Sequence, residues 1–180
     1  MNLYGPKELA ESMRTVRKNT IVIAEDIPEE SYGYRPTPES RGVAELFLHI
    51  AAVWQLTYQI HGIEGRASIE DFDFGAFLEG PSVNEKRTSS KSEIIAFLRT
   101  EGERLVEWVE ELPESVLAEP VGMPRGSHPA AKSRFEMILG AKEHEMHHRA
   151  QLMVVQRMLG IVPHLTRSRQ PAVEVAKVTA

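Results

Sequence analysis

The chain has 180 residues, 42% of them hydrophobic, and a formal net charge of -5. This length and composition predict a single domain at 1–165 with a substantial core, followed by a C-terminal tail at 166–180. The mixed charges argue against nucleic acid and anionic membrane surfaces as partners. Cysteine is absent, which excludes disulfides, zinc–thiolate sites and cysteine nucleophiles. No apolar run reaches membrane-spanning length and no signal peptide is evident, so we expect a cytoplasmic protein.

Apolar residues at helical spacing predict four long helices. The first extends from Tyr4 to about Ile27, with Pro6 in its first turn. A connector with three prolines follows. Ser40 is the predicted N-cap of the second helix, which is expected to end near His61.

The third and fourth helices have clearer start signals. Ser90 and Glu93 form a capping box at the start of the third helix, and Pro113 marks its end. The fourth helix is predicted from about Ser133 to Gly160. The second connection contains an apolar stretch at 71–78 that is expected to fold back on the bundle. Strand alternation is not evident, so we predict an all-α four-helix bundle with two long connections.

Three histidines lie on the apolar faces of two of these helices. His144 and His148 stand one helical turn apart, on the face that carries Leu152 and Val155. His49 lies at the centre of the apolar stripe of the second helix. Imidazoles that converge in an apolar core repel each other when protonated and lose hydration when unpaired. Because a metal ion removes both costs, a tri-histidine site is predicted if the second and fourth helices are neighbours.

The remaining histidines are expected to lie outside this site. His147 is about 100° from His148 around the helix, which indicates a flanking or exposed position. His61, His128 and His164 are interpreted as surface or loop residues.

Two other metal-site patterns overlap the same segment. Residues 144–148 fit the H-E-x-x-H pattern of zincin proteases, in which Glu145 would be the general base. The glycine and histidine that follow in metzincins are missing, and a downstream glutamate ligand would have to be Glu174 in the tail. Glu145 and His148 also form a Glu-x-x-His motif, but a di-iron carboxylate bundle needs two such motifs. A mononuclear site is therefore favoured.

In combination, these motifs resemble the DinB-like (YfiT-like) family of metalloenzymes. The resemblance rests on His49 in the middle of the second helix and on the sequence HEMHHRAQL at 144–152. The sequences IPEE at 27–30 and YRP at 34–36 also resemble the first connector of the family. Members often have glycine at the position of Ala150. The resemblance covers the chain from about residue 4 to residue 160.

The resemblance implies a bundle with up-down-down-up order, which the long crossover connections allow. It also implies a divalent metal ion on His49, His144 and His148, and frequent homodimers. Characterised members include transferases and isomerases that use a thiol cofactor, whereas many members have no known reaction. Family membership therefore says more about the site than about the substrate.

Three protein ligands leave a coordination position open, which is typical of catalytic metal sites. We expect a metal-dependent transferase or hydrolase with a small-molecule substrate, and with water or a low-molecular-weight thiol as a further ligand. All-imidazole ligation suits zinc, nickel, iron or copper. Glu145 could orient a ligand, act as a catalytic base, or simply pair with Arg149. The alternative function is a non-catalytic binding or sensing module that the metal stabilises.

The fourth helix carries a second apolar surface, here called the methionine strip, formed by Met146, Ala150, Met153 and Val154. It faces away from the histidines, where a surface helix should be polar. A homodimer interface is expected there, because methionine adapts to a partner surface and alanine permits close helix contact. The alternative is that phenylalanines of the stretch 71–78 cover the strip.

Overall fold

A computed structural model of the chain describes residues 4–80 and 89–169. Within these residues the α-helices are α1 Pro6–Asp26, α2 Val43–Tyr58, α3 Phe74–Glu79, α4 Lys91–Glu110, α5 Glu114–Leu117, α6 Arg134–Met158 and α7 His164–Arg167. The four long helices, α1, α2, α4 and α6, pack around a common core. The predicted all-α four-helix bundle is confirmed.

Capping residues determine where the long helices begin. Ser90 and Ser133 are the N-caps of α4 and α6, as predicted, and each hydroxyl accepts a hydrogen bond from a backbone amide three residues later. α2 begins later than predicted, since its N-cap is Gly42 rather than Ser40. The Gly42 amide donates to the Glu45 carboxylate at 3.0 Å, whereas the Ser40 hydroxyl closes the preceding turn.

Contacts between the ends of the helices establish their directions. Arg14 in the first half of α1 pairs with Glu110 at the end of α4, so these helices are antiparallel. Lys142 in the first half of α6 donates to Ser12 in the first half of α1 at 3.1 Å, so α1 and α6 are parallel.

α2 is oriented by contacts at its C-terminal end. His61, just beyond α2, bonds to Arg134 at the start of α6, so these two helices are antiparallel. The rings of Tyr58 at the end of α2 and Trp108 near the end of α4 have centroids 5.9 Å apart, so α2 and α4 are parallel. The order is therefore up-down-down-up, and α2 and α6 are neighbours, as the predicted site requires.

The core extends along the length of the bundle, and α2 contributes to both halves of it. Phe47 of α2 packs with Ile23 of α1 towards one end. Trp54 of α2 packs with Leu105 of α4 towards the other, and all four side chains are 0% exposed. Because α2 is apolar on nearly every face, it is held rigidly between its neighbours, and so is the histidine that it carries.

The third connection contains a small antiparallel sheet that the sequence pattern did not predict. β1 (Pro120–Gly122) pairs with β2 (Ala131–Ser133). Strands of three residues are too short to show an alternating pattern. Val121 is 0% exposed and packs with Ile60 and Ile69, which holds the connection against one end of the bundle.

Up to residue 80, the second connection folds back on the bundle, as predicted, and it packs away from the methionine strip. Phe72 and Phe74 pack against the same small cluster of Ile60, Ile69 and Val121. On the strip, Met146 remains 42% exposed and Val154 remains 56% exposed. Residues 81–88 of this connection lie outside the described part of the chain.

The described chain continues past the predicted domain boundary at residue 165. Arg167 in α7 pairs with Asp26 at the end of α1, with Nη2 2.8 Å from Oδ2, so this segment packs against the bundle. The rest of the predicted tail, 170–180, lies outside the described residues. Among the described residues, no helix combines the length and apolar character that crossing a membrane requires.

Candidate metal centre

The three predicted ligands converge between α2 and α6. Nε2 of His144 lies 3.0 Å from Nε2 of His49 and 3.0 Å from Nε2 of His148. In a tetrahedral zinc site with Zn–N bonds of ~2.0–2.1 Å, the donor nitrogens are about 3.3 Å apart. A small outward movement of the rings therefore makes room for one divalent ion. In 4–80 and 89–169, this is the one group of three metal-binding side chains whose ligand atoms lie close enough together.

The two short contacts of His144 Nε2 cannot both be hydrogen bonds donated by this one nitrogen. His144 Nε2 faces two other imidazole nitrogens at the same distance, and a neutral imidazole carries only one N–H. The other nitrogen of His144, Nδ1, is buried without a hydrogen-bond partner, so its polar contacts are made through Nε2. A cation accepts all three lone pairs at once, and the residues therefore fit a bound metal ion.

Gln151 orients one of the ligands. Its side-chain Oε1 lies 2.8 Å from Nδ1 of His148, and because an amide oxygen only accepts, the imidazole must donate from Nδ1. The neutral ring then presents the lone pair of Nε2 to the site. A hydrogen bond of this kind on the nitrogen that does not face the metal is a recurrent feature of histidine metal sites.

The histidines of α6 are held in the neutral form near pH 7. Burial, together with repulsion from the neighbouring histidines and Arg41, lowers the pKa of His144 to about 4. Burial also lowers the pKa of His148, although its hydrogen bond with Gln151 opposes this effect. Neutral imidazole is the form that binds a metal ion.

The predicted helical phase of α6 is confirmed at the neighbouring position. His147 is exposed and its Nε2 lies 3.2 Å from Nε2 of Gln151, outside the cluster formed by His49, His144 and His148. The 100° step per residue in an α-helix is enough to direct adjacent histidines to different surroundings.

The sequence pattern places Glu145 near the edge of the buried face of α6. In the structure its side chain is instead fully buried, at 0% exposure. Nε of Arg17 in α1 lies 3.1 Å from both carboxylate oxygens, and Nη2 lies 3.0 Å from Oε2. The partner is therefore Arg17 across the interface of α1 and α6, rather than Arg149 one turn along α6. Engagement of both oxygens favours a role in holding α6, and the catalytic role of Glu145 stays a prediction.

Arg17 connects this pair to the other two long helices. Its guanidinium carbon lies 4.0 Å from the ring centroid of Trp54 in α2, and Nη1 donates to the Leu98 carbonyl of α4 at 2.7 Å. Gly102 leaves the space that the arginine fills, since a Cβ there would lie 2.9 Å from Arg17 Cγ. All four long helices are thus tied together through Arg17.

The family model described as the DinB superfamily matches residues 12–152, more than three quarters of the chain. The chain belongs to the DinB superfamily. The match includes His49, His144 and His148, so all the predicted ligands lie within the part of the chain that the family model covers.

The protein YjoA of Bacillus subtilis (strain 168), itself uncharacterised, is 28% identical over 144 residues, 80% of this chain and 84% of YjoA. The crystal structure of YjoA, a DinB-like protein, has a TM-score of 0.62 at 22% identity and covers 85% of this chain and 92% of that one.

Two further solved structures share the fold at lower identity. A DinB-like protein from Bacillus cereus ATCC 10987 has a TM-score of 0.66 at 16% identity, covering 87% of this chain and 93% of that one. A protein of Clostridium difficile 630 has a TM-score of 0.64 at 14% identity, covering 88% and 99%. These likenesses support the bundle fold.

The predicted surface position of His61 is wrong, whereas His128 is exposed, as predicted. His61 is 5% exposed and lies in a π-helical turn, Gln59–Ile63, that extends α2. Its Nδ1 accepts a hydrogen bond from Arg134 Nη1 at 3.0 Å, because a guanidinium only donates. The π turn shifts the helical phase, which a pattern of 3.6 residues per turn does not anticipate. His164 is half-buried and bonds to α1.

An open pocket of about 880 Å³ borders the histidine cluster. His148 and Gln151 of α6 form part of one wall, and the segment 35–41 forms the opposite wall. Val43 and Leu46 of α2 also line it. One of the predicted metal ligands, His148, therefore borders this cavity. The volume of the cavity lies within the usual range for small-molecule sites, about 300–1,000 Å³.

Proposed function

We propose that this protein is a metal-dependent enzyme that binds one divalent ion, such as zinc, nickel or iron, through His49, His144 and His148. The observation that carries the proposal is the convergence of three Nε2 atoms, one of them on His148, which lines an open pocket. Three protein ligands and a cavity are typical of a catalytic rather than a structural metal site.

The bound ion would act as a Lewis acid and would lower the pKa of a water or thiol ligand towards neutrality. The protein side chains would orient the metal ligands and keep them in the neutral form. Gln151 fixes the tautomer and orientation of His148, and burial keeps the α6 histidines unprotonated. The pocket between α6 and the first connector, which His148 lines, would hold the small-molecule substrate.

We further propose a transferase or hydrolase reaction. The chain has no cysteine, so a sulfur nucleophile would have to come from a low-molecular-weight thiol that enters the pocket. The buried acid nearest in sequence to the histidines, Glu145, is engaged by Arg17. In the proposed reaction, the nucleophile would therefore be activated by the metal ion that binds it, rather than by a protein carboxylate acting as a base.

The alternative is a non-catalytic module in which the metal only stabilises the bundle. The packing argues against this function, because Arg17 of α1 links the other three long helices through Trp54, the Leu98 carbonyl and Glu145, without the predicted metal ligands. A metal-free protein that remains folded would support the enzyme, and a protein that unfolds on metal removal would support the module.

Metal analysis of single variants tests the ligand set. We expect about one divalent metal ion per chain in the wild type, and near-background metal content when His49, His144 or His148 is replaced by alanine. His147→Ala is the matched control and should retain the metal, because this histidine is exposed and outside the cluster. Metal retained by the His148→Ala variant, or lost from the His147→Ala variant, would contradict the proposed ligands.

A further inference from the structure

The side-chain amide of Gln151 lies between two adjacent histidines of α6. Its Oε1 is 2.8 Å from Nδ1 of His148, one of the predicted metal ligands. Its Nε2 is 3.2 Å from Nε2 of His147, which is exposed and lies outside the histidine cluster. The helix brings these side chains together because the histidines precede Gln151 by three and four residues. One amide therefore contacts a histidine inside the candidate site and a histidine outside it.

The two contacts of this amide depend on each other. The amide oxygen only accepts hydrogen bonds and the amide nitrogen only donates them. A metal ion on Nε2 of His148 needs the lone pair of that atom, so the proton of the neutral ring lies on Nδ1 and the amide oxygen must face it. The amide nitrogen then faces His147, whose Nε2 accepts only when the proton of that ring is on Nδ1. The tautomer of His148 therefore determines the tautomer of His147.

The reverse orientation of the amide would oppose metal binding. The amide nitrogen would then donate to Nδ1 of His148, and the proton of this ring would lie on Nε2. Nε2 of His148 faces Nε2 of His144 at 3.0 Å, so this proton would point into the candidate metal site. An acceptor at the position of the Gln151 oxygen thus favours the form of His148 that binds a metal ion.

We propose that Gln151 is a positioning residue of the metal site, and that its amide couples metal binding at His148 to the tautomer of His147. This inference rests on the proposed function and extends the site to an exposed residue that binds no metal. Water can accept the hydrogen bond of the amide nitrogen in place of His147. His147 therefore responds to the occupied site but is not required for metal binding.

Zinc affinity, measured by competition with a chelator, tests the positioning role. Gln151→Leu is expected to lower the affinity about tenfold or more, the usual effect of losing such a hydrogen-bond partner of a metal-bound histidine. Gln151→Glu should bind zinc at least as tightly as the wild type, because its carboxylate also accepts from Nδ1 of His148. Zinc affinity that is unchanged in the Gln151→Leu protein would overturn the inference.

NMR of the histidine ring nitrogens tests the coupling in zinc-loaded protein, at a pH where the exposed rings are neutral. In the wild type, His147 is expected mainly with its proton on Nδ1, by about fivefold, which one ordinary hydrogen bond is sufficient to provide. In the Gln151→Glu protein both side-chain oxygens accept, so His147 is expected to carry its proton on Nε2 while zinc stays bound. A purely structural role of Gln151 would not reverse this tautomer.

His128 is the internal control for these spectra, because it is exposed and should give the same signals in both proteins. The same His147 tautomer in the wild type and in the Gln151→Glu protein would overturn the inference.

Failure of the proposed function would be recognised separately. A wild-type protein that binds neither zinc nor another divalent ion would overturn the proposed function and, with it, this inference. A protein that binds zinc equally well with glutamine or leucine at position 151 would overturn this inference alone.

Discussion

Arg17 of α1 and Glu145 of α6 form a buried ion pair, with side chains 5% and 0% exposed. The guanidinium is further held by Trp54 and the Leu98 carbonyl. Both charges have been taken out of water, so each depends on the other for compensation. Loss of one partner would leave the other charge unpaired in the core.

Glu145→Gln should therefore destabilise the fold without removing the metal ligands. Breaking a buried pair typically costs about 3–5 kcal/mol, and we expect a loss in the free energy of unfolding towards this range, measured by urea denaturation. Glu25→Gln is the matched control, because its pair with Arg99 is exposed and should contribute about 1 kcal/mol or less. A Glu145→Gln protein as stable as the wild type would contradict the structural role and favour the predicted catalytic base.

At the scale of residues, local patterns predict the histidine cluster but not the residues that support it. His144 and His148 could be predicted because a four-residue spacing places them on one helical face. Gln151 could have been found in the same way, since it is three residues after His148. The pairing of Glu145 with Arg17 joins positions 128 apart, and no local pattern reports such a contact.

At the scale of elements, the π-helical turn after α2 has a clear consequence. It directs His61 into the protein, where Arg134 donates to it. Burial, together with the neighbouring Arg134 charge, lowers the pKa of His61 to about 4. The interaction anchors the start of α6 to the end of α2 and requires neutral imidazole.

This anchor predicts a dependence of stability on pH. An unfolded histidine has a pKa of about 6.5, so below that pH the unfolded state takes up a proton that native His61 does not. The contribution of His61 is complete above about pH 6.5 and is lost as the pH falls towards 4, by about 3 kcal/mol in all. His61→Asn, which keeps an acceptor for Arg134, should show a shallower decline in metal-free urea denaturation.

His128→Asn serves as the control for this experiment, because His128 is exposed and its variant should follow the wild-type profile. A wild-type profile in the His61→Asn protein would show that His61 titrates equally in the folded and unfolded states.

The elements that were not predicted share a physical cause. β1 and β2 have three residues each, and the π turn after α2 has five, which is too few for a period to be recognised. The long helices were predicted well because their apolar stripes repeat over several turns and because Ser90 and Ser133 cap two of them.

At the scale of the whole molecule, the order of the helices depends on contacts between distant residues. The stripes predict that four helices share a core, but the up-down-down-up order is visible only in pairs such as Arg14 with Glu110. The methionine strip poses a related question, since Met146 and Val154 remain exposed on the single chain. We propose that it forms a homodimer interface, which would lie beside the pocket because Val154 also lines that pocket.

Light scattering tests the dimer. The wild type should be dimeric at tens of micromolar, and the Met146→Glu, Met153→Glu double variant should be monomeric with unchanged zinc content, because charges within an apolar interface are poorly solvated. Ile63→Glu is the control, since Ile63 is 62% exposed and outside the strip. A monomeric wild type would exclude the proposed interface.

The central claim is that His49, His144 and His148 bind one metal ion and leave a coordination position open. Cobalt(II) substitution followed by titration with azide measures this directly, because the visible spectrum of cobalt reports its coordination. We predict a saturable spectral change as azide enters the open position. A tetrahedral spectrum that azide does not change would contradict the claim and indicate a closed, structural site.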